Sequence, residues 1–461
     1  MRKAAFHNLG CKVNSWETEA MEQMLAEAGY EIVPFTEKAD VYIINTCSVT
    51  NVADKKSRQM LHRAKKMNPD AAVVAAGCYV QSAGEALQKD DAVDIIIGND
   101  RKKELPRLLD RYFEGQNGAE TGHIPEDGKL TDVIDIAASR DFEDLHISHT
   151  AEHTRAFMKI QDGCNQFCSY CIIPYTRGRI RSRDPEEVLW EAETLVQRGY
   201  REIVLTGIHL SSYGLDFGHE EYHGESRLMD LLERVDRIPG LLRMRLGSLE
   251  PRIVTEEFAR RLAGLSTICP HFHLSLQSGC GATLKRMNRH YTPEEYRECC
   301  ERLRRYFDHP AITTDVIVGF PGETEEEFEA SRQFVEDIGF YELHVFRYSR
   351  RKGTRADRMP DQVPETVKAE RSDVLLDLDR KQSAEFRRRY LGEKAEILME
   401  EPVMIGGRKY MVGHTREYVK GAVPFREGLK NRLVTGIFTG MLSDEVLLAA
   451  ETGETESLRN F

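Results

Sequence analysis

Gly163-Cys164-Asn165-Gln166-Phe167-Cys168-Ser169-Tyr170-Cys171 is the most informative stretch of the 461-residue chain. Three cysteines stand at C-x3-C-x2-C spacing, directly after an apolar run that reads as a strand, Ala156–Gln161. Three thiolates in so short a loop can ligate three irons of a cubane [4Fe–4S] cluster. The fourth iron then stays open to a substrate or cofactor. A structural zinc site wants four ligands, usually in paired knuckles, and no fourth stands nearby. Inert buried cysteines are the plainer alternative, which the glycine-led clustering of thiols argues against.

Downstream, strand candidates recur at Glu202–Thr206, Leu242–Leu246, His271–Leu276, Thr313–Val318 and Glu342–Tyr348, with helix patterns such as Pro185–Arg198 and Glu325–Ile338 between them. Six β/α units over residues 153–390 predict an open or partial (β/α)6 barrel. Upstream, residues 1–113 alternate strand candidates (Ala4–Leu9, Val41–Asn45, Ala72–Ala76, Asp94–Gly98) with helix patterns, which predicts a small parallel α/β sheet. Residues 114–152 read as a linker with one strand at Leu130–Ile136. Residues 391–450 carry short apolar runs between glycine-containing turns, the pattern of a small all-β barrel. Residues 451–461 read as a frayed polar tail. The fold class is therefore α/β multidomain.

Cys11, Cys47 and Cys78 are far apart in sequence but share one context. Each follows a strand candidate, as Leu9-Gly10-Cys11, Asn45-Thr46-Cys47 and Ala76-Gly77-Cys78. In an open parallel sheet the loops past the strands' carboxyl ends gather on one edge, so these thiols can converge on a second cluster. Cys269, Cys280, Cys299 and Cys300 lack such context and read as structural.

The formal net charge of −12 argues against a protein that is basic all over, though not against a local basic groove. No apolar window is long enough to span a membrane and the N-terminus has no signal-peptide core, so the expected location is the cytoplasm. In that reducing compartment clustered cysteines point to metal or catalysis rather than disulfides. Basic residues concentrate in Asp54–Lys66, in Arg177, Arg179, Arg181 and Arg183, and over residues 347–392, where thirteen Lys/Arg face eight Asp/Glu. With a small barrel that can stack bases through Tyr410, Tyr418 and Phe438, these runs favour RNA binding.

The cysteine loop, with Tyr170 before its last cysteine, resembles the radical S-adenosylmethionine (SAM) superfamily. The whole chain resembles the methylthiotransferases, which join an N-terminal three-cysteine domain, a radical SAM core and a C-terminal TRAM barrel. Leu246-Gly247-Ser248-Leu249-Glu250-Pro251, His273–Gly279, Arg286–Arg289 and Asp315–Thr324 carry the likeness further. The resemblance implies two [4Fe–4S] clusters, on Cys164/Cys168/Cys171 and on Cys11/Cys47/Cys78, and SAM in a pocket with Gly207, Ser248, Glu250 and Gln277. It implies that one SAM methylates cluster-bound sulfur and another is cleaved to a radical, with an electron donor and a sulfur source of unknown identity. Asn45-Thr46-Cys47-Ser48-Val49-Thr50-Asn51-Val52-Ala53-Asp54 resembles the branch that converts N6-threonylcarbamoyladenosine (t6A), next to the tRNA anticodon, to its 2-methylthio form. Isopentenyladenosine in tRNA and a ribosomal protein are the alternative substrates within the family. A non-enzymatic iron–sulfur RNA-binding regulator is the distant alternative.

Overall fold

The computed structural model describes residues 1–116, 129–148, 154–218 and 226–454. The N-terminal sheet is wholly parallel, in the order β2-β1-β3-β4-β5-β6: β1 Lys3–Asn8, β2 Glu31–Val33, β3 Val41–Thr46, β4 Ala72–Gly77, β5 Ile95–Ile97 and β6 Leu130–Asp132. Its central strands, VYIINT and AVVAAG, are buried at every position, because helices cover both faces. Ile43 and Val74 face one apolar layer with Met21, Leu25 and Leu109. Ile44 and Val73 face the other, with Leu61, Val80 and Leu87. β6 corrects the reading of 114–152 as a linker: part of that stretch closes the sheet beside β5. Its strand ends at Asp132, short of Ile136.

The order 2-1-3 reverses direction between β1 and β3. Such a switch point opens a crevice at the strands' carboxyl ends, where ligands bind in open α/β sheets.

The second unit is a curved parallel array. β7 (Arg155–Asp162), β9 (Glu202–Gly207) and β10 (Arg243–Leu246) form one sheet, with the short β8 (Arg181–Ser182) antiparallel to β7. β11 (His271–His273), β12 (Ala311–Val318) and β13 (Glu342–Arg347) form the next. Isolated parallel bridges, Met244 to Ile268 and Leu249 to Leu274, join the two into the expected six-stranded partial barrel. β11 is shorter than the run His271–Leu276. The chain leaves strand geometry near Gln277, whose φ of +68° is unusual for a residue with a side chain.

β14 (Lys394–Ile405), β15 (Arg408–His414), β16 (Lys420–Pro424), β17 (Leu433–Met441) and β18 (Val446–Glu454) close a small barrel around Ile397, Met411, Val434, Phe438 and Leu447. β18 runs past Ala450, so the expected tail begins inside a strand; residues 455–461 lie outside the described residues. Phe438 is core, and Tyr418 stacks on His414 and His271 at the junction with the central barrel, so neither is free to stack a base as expected. Among the described residues no helix is long and apolar enough to cross a membrane.

Buried ions hold this junction. Arg243 donates to the carbonyl of His414 (2.8 Å) and Arg245 to that of Arg416 (2.7 Å), while Arg245 Nε also pairs with Glu202 (2.8 Å). Arg155 pairs with Glu400. Burial alone would raise the Glu202 carboxyl, but Arg245, Arg155 and Arg243 outweigh it and bring it from 4.5 to about 2. A depressed carboxylate adds stability above its unfolded pKa and loses it as pH falls through the folded one. The melting temperature of Glu202→Gln should therefore lie below that of the parent at pH 7, and the gap should narrow as pH falls from 4.5 towards 2. A gap independent of pH would show that the charge contributes nothing.

Candidate functional site

Cys164, Cys168 and Cys171 lie in the loop after β7, at the barrel's carboxyl end. Gly163 enters that loop at φ +69°, and a Cβ there would sit 1.8 Å from the Arg179 carbonyl oxygen, so only glycine fits. The Cys164 amide donates to the Gly178 carbonyl (3.1 Å) and the Cys171 amide to that of Cys168 (3.0 Å). The stretch Arg286–Arg289 cradles the loop from below. Ser169 bonds the carbonyls of Met287 and Arg286, and Asn288 donates to that of Phe167 (3.1 Å). Arg289 Nη1 donates to Cys168 Sγ at 3.3 Å.

The three cysteines open onto a cavity of about 280 Å3, which Ser248, Glu250 and Gln277 also line. Gly207 does not line it. A Cβ at Gly207 would strike Gln161 at 2.9 Å, so this glycine serves strand packing while its neighbours Ile208 and His209 reach the cavity. Burial, with help from Arg289 and Arg252, lowers His209 to about 4, so its ring is neutral.

At the switch point of the N-terminal sheet, Cys11 caps helix α1 (Lys12–Glu27), Cys47 follows β3, and Cys78 opens a helix after β4. Gly10 packs on Cys47, with its ideal Cβ 2.9 Å from Cys47 Sγ. Arg177 Nε donates to Cys78 Sγ at 3.3 Å. The three thiols thus meet on one edge, within one another's electric field. Burial pushes Cys47 up to about 11, and Cys78 and Cys11 add to the rise. Cys11 reaches solvent, but the protein crowding around it also raises its thiol. Burial likewise raises Cys164 to about 11, and raises Cys171 further. A metal ion takes the proton's place on such thiols, so clustered sulfurs of this kind suit a metal or cluster.

Arg177 connects the two triads. Its guanidinium is fully buried and bonds Asp162, two residues before Cys164, as well as Glu17 (2.7 Å) and Asn14 (2.7 Å) on α1 and Cys78. Lys159 and Lys102 also pair with Glu17, at 2.8 and 3.1 Å. Burial works to raise the Glu17 carboxyl, but Arg177, Lys102 and Lys159 hold it well below the usual carboxylate range. The expectation that Arg177, Arg179, Arg181 and Arg183 form an RNA-facing run is corrected here. Arg181 pairs with Asp100 and Arg183 with Glu191, both fully buried, and only Arg179 of the four is exposed. The Asp54–Lys66 run differs: Lys55, Lys56, Arg58, Arg63 and Lys66 are exposed on one helix.

That helix begins beside the cavity, which Val49 and Thr50 line from the N-terminal side. Arg351 latches this edge to the barrel, donating to Ser48 Oγ, Asn51 Oδ1 and Asp54 Oδ2, each at 2.7 Å. The sequence reading passed over Arg177 as a hub, Arg289 and Arg351. Only Arg289 stood in a stretch singled out for its likeness.

Residues 158–335 match the Radical SAM superfamily and residues 3–98 the Uncharacterized protein family UPF0004. The threonylcarbamoyladenosine tRNA methylthiotransferase MtaB of Bacillus subtilis is 42% identical over 94% of this chain and 93% of its own length. The chain belongs to the radical SAM methylthiotransferase family. An Aquifex aeolicus relative of the same name is 38% identical over 87% of the chain and 93% of its own length. A tRNA-2-methylthio-N(6)-dimethylallyladenosine synthase of Moorella thermoacetica is 36% identical over 92% of the chain and 93% of its own length. Among solved structures, the radical SAM methyltransferase TsrM of Kitasatospora setae superposes with a TM-score of 0.57 over 77% of each chain, at 16% identity. Its likeness is one of fold. Membership of this methylthiotransferase family carries a radical SAM domain, and with it SAM and a [4Fe–4S] cluster.

Replacing Arg177 by Leu leaves Lys102 and Lys159 facing the two carboxylates but removes its buried hydrogen bonds to Glu17, Asp162 and Asn14, which should cost roughly 3–5 kcal/mol. Denaturant unfolding of the metal-free chain measures it. A loss under 1 kcal/mol, the scale of an exposed pair, would show that the guanidinium is dispensable to the fold.

Proposed function

We propose that this methylthiotransferase converts t6A in tRNA to 2-methylthio-t6A, with one [4Fe–4S] cluster on Cys164, Cys168 and Cys171, a second on Cys11, Cys47 and Cys78, and SAM bound beside Ser248, Glu250 and Gln277. The observation that carries the substrate is the edge of the cavity. Val49 and Thr50, from the run that resembles the t6A branch, border it, and Arg347 lines the same cavity, two residues before Ser349, whose hydroxyl accepts from the Asn51 amide (3.1 Å). Arg347 is exposed and its guanidinium lies 4.0 Å from Asp373, beyond hydrogen-bonding distance. It is a cation suited to the threonyl carboxylate, a group that isopentenyladenosine lacks.

When bound, the clusters and SAM supply the radical and sulfur chemistry that an unactivated C2–H demands. The chain's own groups bind and orient. Arg289 donates to Cys168 and so fixes the loop's outer sulfur. Arg177 holds the two sulfur sites in register through Asp162 and Cys78. Ile208, Leu249, Ile317, Phe346 and Tyr348 wall the cavity with apolar surface that limits water around a reactive intermediate. Phe346 is partly exposed at that wall and offers a face for an adenine, which in an anticodon loop is already unpaired. The exposed basic face of Asp54–Lys66 leads away from the cavity edge and suits phosphate contacts.

The deciding assay is SAM turnover by anaerobically reconstituted protein with t6A-containing tRNA, read by nucleoside mass spectrometry. Methylthiolated t6A should form with 5′-deoxyadenosine. Product on isopentenyladenosine but not on t6A would move the chain to the other branch. Cys168→Ala should abolish SAM cleavage, and normal 5′-deoxyadenosine release would sink that assignment. Cys47→Ala should still cleave SAM but transfer no sulfur; methylthio product from it would remove the second site as the sulfur platform. Arg347→Ala should lower kcat/KM for t6A-tRNA by roughly 10- to 100-fold, the value of a charge-assisted hydrogen bond. Cleavage of SAM without tRNA should be unaltered. An unchanged kcat/KM would leave the carboxylate unrecognised by Arg347.

A further inference from the structure

We propose that His273, Asp315 and His344 form a binding site for a divalent transition-metal ion, distinct from both cysteine triads. The register of three adjacent parallel strands brings them together. His273 on β11 pairs with Thr313 on β12, and Asp315 pairs with His344 on β13. Positions 313 and 315 lie on the same face of β12, because side chains alternate along a strand. The three side chains therefore converge on one face of the sheet. One ligand atom from each lies within 4.8 Å of the other two.

The hydrogen bonding suits a cation ligand set. His273 Nδ1 lies 3.0 Å from Thr313 Oγ1, a partner that fixes the ring's orientation as outer partners of metal-bound histidines do. The other nitrogen, Nε2, is buried and makes no hydrogen bond, although Asp315 Oδ2 stands 3.3 Å away. Nδ1 and the Thr313 hydroxyl can pair in either tautomer; when Nδ1–H is the donor, Nε2 turns a lone pair towards the Asp315 carboxylate, the arrangement in which a cation fits between the two. The ring of His344 stacks on that of His273 at 5.5 Å and supplies the third donor. Two imidazoles and one carboxylate suit Zn2+ or Fe2+, and three protein ligands leave coordination positions open. Asp315 also lines the cavity beside the cysteine loop, and His344 lines a separate cavity of about 1030 Å3 next to the C-terminal barrel. The site thus sits between the two cavities. An open position on the Asp315 side would take water or an anionic oxygen ligand. Lys12, whose charge is felt at His344, is the other cation near the cluster.

Zinc is the probe, because it is redox-silent and cannot be confused with cluster iron. The full chain, reconstituted anaerobically with iron and sulfide, is equilibrated with Zn2+ and desalted, and both metals are counted by mass spectrometry. The parent should retain about one more zinc per chain than His344→Gln, with equal iron. His344 is exposed, so this variant should keep the fold; Asp315→Asn provides a second comparison. X-ray absorption at the zinc edge should show nitrogen and oxygen ligands only. Equal zinc in parent and variants overturns the proposal, as does sulfur ligation, which would mean zinc in a cysteine triad. Failure of the parent to retain zinc overturns it as well. No readout involves turnover, so the result is independent of the reaction proposed above.

Discussion

The buried guanidinium of Arg177 is the contact on which the arrangement of the molecule depends. It belongs to the barrel, six residues past Cys171, yet most of its partners lie on the N-terminal unit: Glu17, Asn14 and Cys78. A buried charge is tolerated only when its counter-charges are held in good geometry. Here Glu17 and Asp162 provide them, and Lys159 and Lys102 share the same carboxylates. Trp16 and Ala20 of α1 pack into the barrel's own apolar core beside this network. The two cysteine sites are thus held by a joint that is both apolar and ionic. Neither sulfur site can shift far without breaking a bond to the same arginine.

The junction between the central and C-terminal barrels follows the same logic. Arg155 and Arg243 open their strands and Arg245 follows two residues on, and Glu202 and the carbonyls of the small barrel receive them. The small barrel's core also extends across the joint to Ala311, Tyr341 and Phe386. The two barrels share a core as well as charges. A domain of this size that swung freely would expose both.

How much of this was legible in sequence depended on the kind of signal. Strand-then-cysteine placement was legible because β3 opens on the apolar run Val41–Ile44 and β4 is apolar throughout, and each ends where its cysteine begins. The switch point then brings Cys11 to Cys47, a consequence of strand order that spacing alone does not contain. The tight C-x3-C-x2-C loop was legible for a local reason, since nine residues hold all its chemistry. Charge was the poorest guide. Arg177, Arg181 and Arg183 count as basic in any tally, but their counter-charges come from residues 17, 100 and 191, and only the fold pairs them. Phe438 was misjudged for the converse reason: an aromatic in a small barrel fills the core before it is spare for a ligand. The strands expected at Leu130–Ile136 and His271–Leu276 are present but short: β6 ends at Asp132 and β11 at His273, before Gln277 turns through positive φ.

The latch formed by Arg351 has a consequence for how this family could diversify. Ser48, Asn51 and Asp54 flank the residues that border the cavity beside the cysteine loop, and all three bond one arginine some three hundred positions away. The segment that bears the mark of one substrate branch is therefore also a hinge pin between two folded units. A chimera that imports another branch's version of residues 48–54 inherits a mismatched pin, and its failure would say nothing about substrate choice. Such an exchange reads on substrate choice only when residue 351 is carried across together with the segment.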